Sequence, residues 1–258
     1  MRKALIALAY ALGLPIVLVL IWYVATLGAT NPFVPKPLVL VETFAETWFG
    51  DRISNDILPS LARFVVGTGL AIVIGIILGL AVGLSRGLRA YTEPVFEFFR
   101  ALPPPVLIPI LALILGATDG MRISVIVLGA VWPVLLNTIE GVRSADEVQT
   151  ETSRSYGITG WGRIRHQVLP SAAPQIMAGV RQALPIGIIL MVIGEMLYST
   201  AGLGYSITQF QRQFAVSQMW SGILLLGLLG FVVSLLFKLV ERRVLRWYHG
   251  LKDLENAS

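Results

Sequence analysis

Long apolar runs constrain this chain more than any other feature. A bilayer's hydrocarbon core is about 30 Å thick and takes about 20 apolar residues as helix. Runs of that kind occupy residues 4–27, 61–84, 123–139, 176–197 and 220–240, whereas 106–115 reaches crossing length only with 95–102 before it. The spans expected are 4–27, 61–84, 95–118, 122–140, 175–198 and 218–240, with a loop at 141–174, all in one domain, 1–258. In lipid a chain must satisfy its backbone internally. The expected fold class is therefore an all-α membrane protein with six transmembrane helices.

Composition agrees. Of 258 residues 14% are charged, against about 25% in soluble domains, so polar groups are too few to coat a water-soluble globule. The absence of cysteine removes disulfides, thiolate nucleophiles and cysteine-ligated metals. Two histidines, His166 and His249, leave little for a metal site or an imidazole base.

Six spans place both termini on one side. With the N-terminus inside, the inner segments hold 15 Lys and Arg and the outer ones 5: Lys36, Arg52, Arg63, Arg122 and Arg212. That bias orients the chain with both termini cytoplasmic. It also accounts for the net charge of +5 without nucleic acid. The first apolar run exceeds a signal peptide's usual 7–15 residues and lacks a clear A-x-A site, so it is read as uncleaved.

Between the first two spans, Pro32, Pro35 and Pro37 interrupt regular structure, and 39–49 reads as a short interfacial helix with Trp48 near headgroup level. The second span carries Gly67, Ala71, Gly75, Gly79, Gly83 and Gly87 at four-residue spacing. On a helix these form a ridge of small side chains that admits a close neighbour, within the chain or in a second copy. The third span holds Pro103, Pro104, Pro105 and Pro109, with Glu93, Glu97 and Arg100 on an amphipathic first part. It reads either as a broken helix beside a cavity or as a structural kink. Asp119-Gly120 reads as an outer turn.

Catalytic motifs fail on context. Gly83-Leu84-Ser85-Arg86-Gly87 spells the nucleophile elbow but follows an apolar span and lacks a histidine partner. No P-loop and no H-E-x-x-H occur. Two charges interrupt the fifth span. Arg181 is placed to snorkel inward. Glu195 can gate, pair with a base, carry a proton or cap locally at the interface. The segment Tyr198-Ser199-Thr200-Ala201-Gly202-Leu203-Gly204-Tyr205 suits a tight outer turn, with Gly202, Gly204 and Tyr205 as a candidate gate.

The inner loop reads Glu151-Thr152-Ser153-Arg154-Ser155-Tyr156-Gly157, then nine residues, then Gln167-Val168-Leu169-Pro170. This resembles the E-A-A-x-x-x-G-x9-I-x-L-P loop of permease subunits from binding-protein-dependent ABC importers, with Thr152 and Ser153 in place of the alanines and Gln167 in place of the apolar residue. Phe99-Arg100-Ala101-Leu102-Pro103-Pro104 and Gly194-Glu195-Met196-Leu197 look like the nitrate/sulfonate/taurine/bicarbonate branch. The resemblance implies a type I importer fold in a bacterial cytoplasmic membrane. It implies a coupling helix at about 153–161, with Glu151, Thr152, Ser153, Arg154, Tyr156, Gly157, Ile158, Gly160, Trp161, Leu169 and Pro170 forming the ATPase contact. The implied partners are two ABC ATPase subunits, a periplasmic or lipid-anchored solute-binding protein, a second permease copy and membrane lipid. No cofactor binds this chain; ATP and magnesium belong to the ATPase. Arg100, Pro103, Pro104, Glu195 and Met196 are candidates for the path of a small anionic solute. The competing reading is an ion-gradient-driven transporter or channel in which Glu195 carries protons; an intramembrane enzyme lacks a nucleophile–base pair.

Overall fold

The computed structural model describes residues 2–28, 31–144, 147–248 and 250. His249, noted above, and Lys252, one of the inner cations, lie outside the described residues. Among the described residues there is helix and no strand. The helices are α1 (Arg2–Thr26), α2 (Pro37–Trp48), α3 (Leu58–Leu84), α4 (Arg86–Ala101), α5 (Ile108–Leu115), α6 (Asp119–Arg143), α7 (Glu147–Ser155), α8 (Gly160–Arg163), α9 (Leu169–Tyr198), α10 (Leu203–Arg212) and α11 (Val216–Val244).

Four described helical segments are long and apolar enough to cross a membrane: Ile53–Leu84, Asp119–Arg143, Gly160–Tyr198 and Val216–Val244. A fifth is available if the pair Arg86–Ala101 and Pro104–Leu115 counts as one span, bent by 85°. In the first expected span, Gly13–Thr26 is a shorter apolar helix. Exposed apolar side chains such as Leu113, at 88% exposure, are what a lipid-facing surface presents.

The centre is a three-helix packing of α3, α6 and α9. The ridge on α3 lies directly against α6. A Cβ added at Gly67, Gly75, Gly79 or Gly83 would stand 2.8, 2.8, 2.5 and 2.8 Å from the Cβ of Ile126, Val134, Thr138 and Val142 respectively. The partner number rises with the ridge number, so the two helices run parallel. The small residues thus serve packing within the chain. Gly87 is beyond the contact, because Ser85 ends α3 and caps α4, its hydroxyl accepting from the Leu88 N–H at 3.2 Å. This cap is what Gly83-Leu84-Ser85-Arg86-Gly87 does. On its other side α6 packs antiparallel to α9. Gly129 meets Leu190, Gly179 meets the Pro133 carbonyl and Asn137, and Gly141 meets Ala172 and Gln175. Ala71, Ala130, Val134, Val168, Ala172, Val180 and Ala183 form the core between them.

The expected third span is not straight. Leu102 and Pro103 have extended backbone, with ψ 123° and 119°, and a 3-10 turn, Pro104–Leu107, follows before α5. Consecutive prolines remove amide donors and push the preceding residue out of the helical region. The break has a definite contact: Pro104 packs against α6 at Gly129.

Two smaller expectations change. Asp119-Gly120 opens α6, with the Thr118 hydroxyl accepting from the Met121 N–H at 3.3 Å; the turn falls earlier, at Gly116. Trp48 faces the protein interior. It is 2% exposed, donates its indole N–H to the Ser221 hydroxyl at 2.9 Å and packs edge-on to Phe210. Aromatic N–H groups that find an internal partner are stabilised in the interior.

The α3–α6 ridge makes a direct prediction. Gly79→Leu forces a side chain into Thr138 and the Leu135 carbonyl and is expected to destabilise the fold by about 3 kcal/mol or more. Gly87→Ala, in open space, should leave thermal unfolding of the detergent-purified chain unchanged. Equal melting curves for the two variants would contradict this packing.

Candidate functional site

Glu195, one turn from the end of α9, is 0% exposed. Its Oε1 accepts from Arg63 Nη1 at 2.6 Å, and the Ser60 hydroxyl lies 2.8 Å from Oε1 and 2.9 Å from Oε2. The Gly204 N–H donates to Oε2 at 3.0 Å. Every side of the carboxylate therefore meets a donor, which a buried charge requires. Arg63 donates from Nε to Asp119 Oδ1 at 2.8 Å and from Nη1 to the Ala201 carbonyl at 3.2 Å. Asp119 Oδ1 also accepts from Arg122 Nη1 at 2.7 Å, and Arg122 reaches the Tyr198 and Ala117 carbonyls. One ionic network ties the starts of α3 and α6 to the end of α9.

The same network fixes the segment after α9. The Gly202 N–H donates to Asp56 at 3.0 Å, and the Leu203 N–H donates to the Ser60 hydroxyl at 2.9 Å. Gly202 has φ +116°, and a Cβ there would lie 2.6 Å from the Glu195 carboxylate. A Cβ at Gly204 would lie 2.4 Å from the Val192 carbonyl. Both glycines are small because the carboxylate and the α9 backbone occupy the space a side chain needs. Tyr205 lines a cleft of about 310 Å³ with Arg52, Asp56, Gln209, Phe210 and Gln213.

The structure gathers only part of the sequence-derived set. Glu195, Gly202 and Gly204 meet; Met196 is half-buried beside them. Arg100 stands apart in an exposed pair with Glu97 at 2.7 Å. Pro103 and Pro104 lie at the break between α4 and α5. Ser60, Asp119 and Arg122 were missed as members. Arg63 had a readable signal: it lies one helical turn before Gly67, on the buried stripe of α3.

At the opposite end of α6 and α9 lies the second element. Glu151, Thr152, Ser153 and Arg154 belong to α7; the Arg154 side chain lies outside the described part. The Tyr156 N–H closes the helix on the Thr152 carbonyl at 3.0 Å, and the Ile158 N–H on the Ser153 carbonyl at 2.9 Å. The stretch 153–161 is not one helix. Gly157 at φ +69° and Gly160 at φ +53° turn the chain between α7 and α8, because neither conformation continues a right-handed helix. A π turn, Ile164–Val168, leads to Leu169 and Pro170 at the start of α9. Gln167 holds the two arms together, donating to the Thr150 hydroxyl at 2.8 Å. The tip presents Tyr156 and Trp161, 80% and 70% exposed, around Ile158.

Residues 71–246 match the family described as binding-protein-dependent transport system inner membrane component. The chain is 28% identical to the taurine transport system permease protein TauC of Escherichia coli K12 over 243 residues, covering 92% of this chain and 88% of that protein. It is 30% identical to the bicarbonate transport system permease protein CmpB of Synechococcus elongatus over 190 residues, covering 73% and 68%. In fold it is similar to a chain of an inward-facing MetNI methionine ABC transporter, with TM-score 0.63, 20% identity and coverage of 84% of this chain and 99% of that one.

Removing one member of the buried pair strands the other. Glu195→Met and Arg63→Met are each expected to cost about 3–5 kcal/mol, and the double Arg63→Met/Glu195→Met variant less than the sum of the two single changes. Denaturant unfolding of the four chains measures the coupling; strict additivity would mean that the pair does not hold the end of α9.

Proposed function

The chain belongs to the binding-protein-dependent transport system inner membrane components, and from that premise we propose that it is the permease subunit of an ATP-driven importer for a small anionic solute. It crosses the membrane six times, α1 supplying the first crossing and the bent α4–α5 pair the third, with both termini in the cytoplasm. The observation that carries the reading is the exposed tip of Tyr156, Ile158 and Trp161 between α7 and α8. An apolar tip on a polar arm suits insertion into a groove of another protein. A chain with no P-loop of its own needs a separate motor, and this tip is where the ATPase docks.

Two such ATPases, holding ATP and magnesium, act on two copies of this chain, and an external binding protein delivers solute at the Gly202 end. ATP binding brings the motors together and moves the α7–α8 arms. The arms join α6 and α9 directly, so the movement passes to the packed core and alternates the access of a path between the two copies. Relatives named for taurine and bicarbonate transport support a small anion as cargo. Glu195 is an anchor in this mechanism. A proton carrier in a gradient-driven transporter has to reach water, whereas this carboxylate is fully buried and paired with Arg63.

Two measurements test the proposal. An affinity pull-down of the full chain from native membranes should recover a stoichiometric P-loop ATPase; a homo-oligomer without one, under conditions that preserve a known importer, would sink it. Gly157→Val places a β-branched residue at φ +69°. It should insert normally yet abolish coupling of ATP hydrolysis to uptake, so wild-type uptake by this variant counts against the tip as the coupling element.

A further inference from the structure

A basic cleft lies away from both sites. Arg181, Lys238, Glu241, Arg242 and Arg246 surround a space of about 460 Å³ between α9 and the end of α11. Arg181 is 64% exposed in its side chain and is paired with Glu241, whose side chain is 13% exposed. Among the described residues, that pair uses the only carboxylate lining the cleft. Lys238, Arg242 and Arg246 form no ion pair among the described residues. Lys238 and Arg242 lie one turn apart on one face of α11, and Arg246 follows just past its end; all three line the cleft.

The same face changes character along its length. Phe231 and Leu235, two turns and one turn before Lys238, are 62% and 46% exposed. Leu239, beside Lys238, is 63% exposed, and Trp247 at the basic end is 45% exposed. An apolar strip therefore runs directly into a pocket of three cations that form no ion pair among the described residues, with an amphipathic aromatic beside it. Cations at the end of a spanning helix attract anionic headgroups, and basic pockets between helices hold them. The apolar strip offers cover for an acyl chain, which a free anion does not need.

We propose that this cleft binds the phosphate headgroup of an acidic phospholipid, with one acyl chain lying along Phe231 and Leu235. The proposal rests on the reading of α9 and α11 as membrane-spanning; it is independent of the motor, the binding protein and the transported solute. Arg181 is a fourth donor held by Glu241 at the cleft's mouth, so Glu241 limits how strongly the site attracts a phosphate.

The test is native mass spectrometry of the full chain, purified in mild detergent with whatever subunits accompany it, after addition of dioleoylphosphatidylglycerol or dioleoylphosphatidylcholine. The anionic lipid should be retained preferentially. Each of Lys238→Gln, Arg242→Gln and Arg246→Gln should reduce that preference by about five-fold. Arg86→Gln, a cation outside the cleft, should leave it unchanged, and Glu241→Gln should raise it by freeing Arg181. Equal retention of the two lipids, or an equal loss in Arg86→Gln, overturns the proposal. So does displacement of the bound lipid by millimolar inorganic phosphate, which would make this a free-anion site. Should the Gln variants fail to fold, Glu241→Gln alone decides: no gain, or a loss, of anionic-lipid retention refutes the arrangement.

Discussion

A carboxylate sealed from water inside an apolar bundle has to be met by donors on every side, or it will not stay charged and in place. Glu195 meets that demand with Arg63, Ser60 and the Gly204 amide. Much of that end of the molecule follows from this one requirement. Arg63 needs further acceptors and takes Asp119 and the Ala201 carbonyl. Asp119 in turn takes Arg122, which reaches back to the end of α9. The glycines at 202 and 204 are small because the carboxylate and the helix behind it leave no volume for a side chain. The loop's shape is thus set by the charge it encloses.

The network would not close if α3 and α6 sat at an ordinary helix separation. The ridge from Gly67 to Gly83 allows side chains of α6 to lie almost on the α3 backbone. Helices in lipid gain little from hydrophobic exclusion between themselves, so close contact and polar links carry more of the association. The two helices are also parallel, which obliges the chain to return across the bundle between them. The broken α4–α5 pair makes that return. Its prolines separate an amphipathic helix, with no buried residue, from a short apolar helix that enters the core at Ile108.

Much of this was legible in the sequence because its causes are local. Apolar runs and four-residue spacing report directly on helices and their faces, and consecutive prolines report a break. The Gly67–Gly83 ridge was readable as a contact surface, but its partner was not, since nothing in a single helix says whether its neighbour is α6 or a second copy. Glu195 was singled out by the cost of a charge in a span, yet its environment required knowing that residues 60, 63, 119 and 204 converge. Trp48 is a second case in which the partner was not readable. A tryptophan on a short helix beside an apolar span was placed near headgroup level, and only the long-range hydrogen bond to Ser221 shows that its side chain is buried within the protein. In the loop, the helix carried over onto 153–161 ran across the turn that Gly157 and Gly160 make with their positive φ.

α9 joins the two sites physically. It is 30 residues long, about 45 Å at the helical rise, and its first turn continues the α7–α8 arm while its last holds Glu195. Its middle is locked to α6 through Gly179, where a Cβ would lie 2.6 Å from the Pro133 carbonyl. Sliding α9 along α6 would require these interdigitated contacts to be remade at every turn, and packed cores of this kind have few intermediate arrangements. Under the proposed function, a push on the arm therefore moves α3, α6 and α9 together. The ion pair at Glu195 resists separation at one end, the α3–α6 ridge along the middle and the Gln167–Thr150 bond at the arm. The compliant places left are the 85° bend between α4 and α5 and the exposed faces of α11, so the rearrangement that changes access has to be taken up there, around a core that keeps its shape.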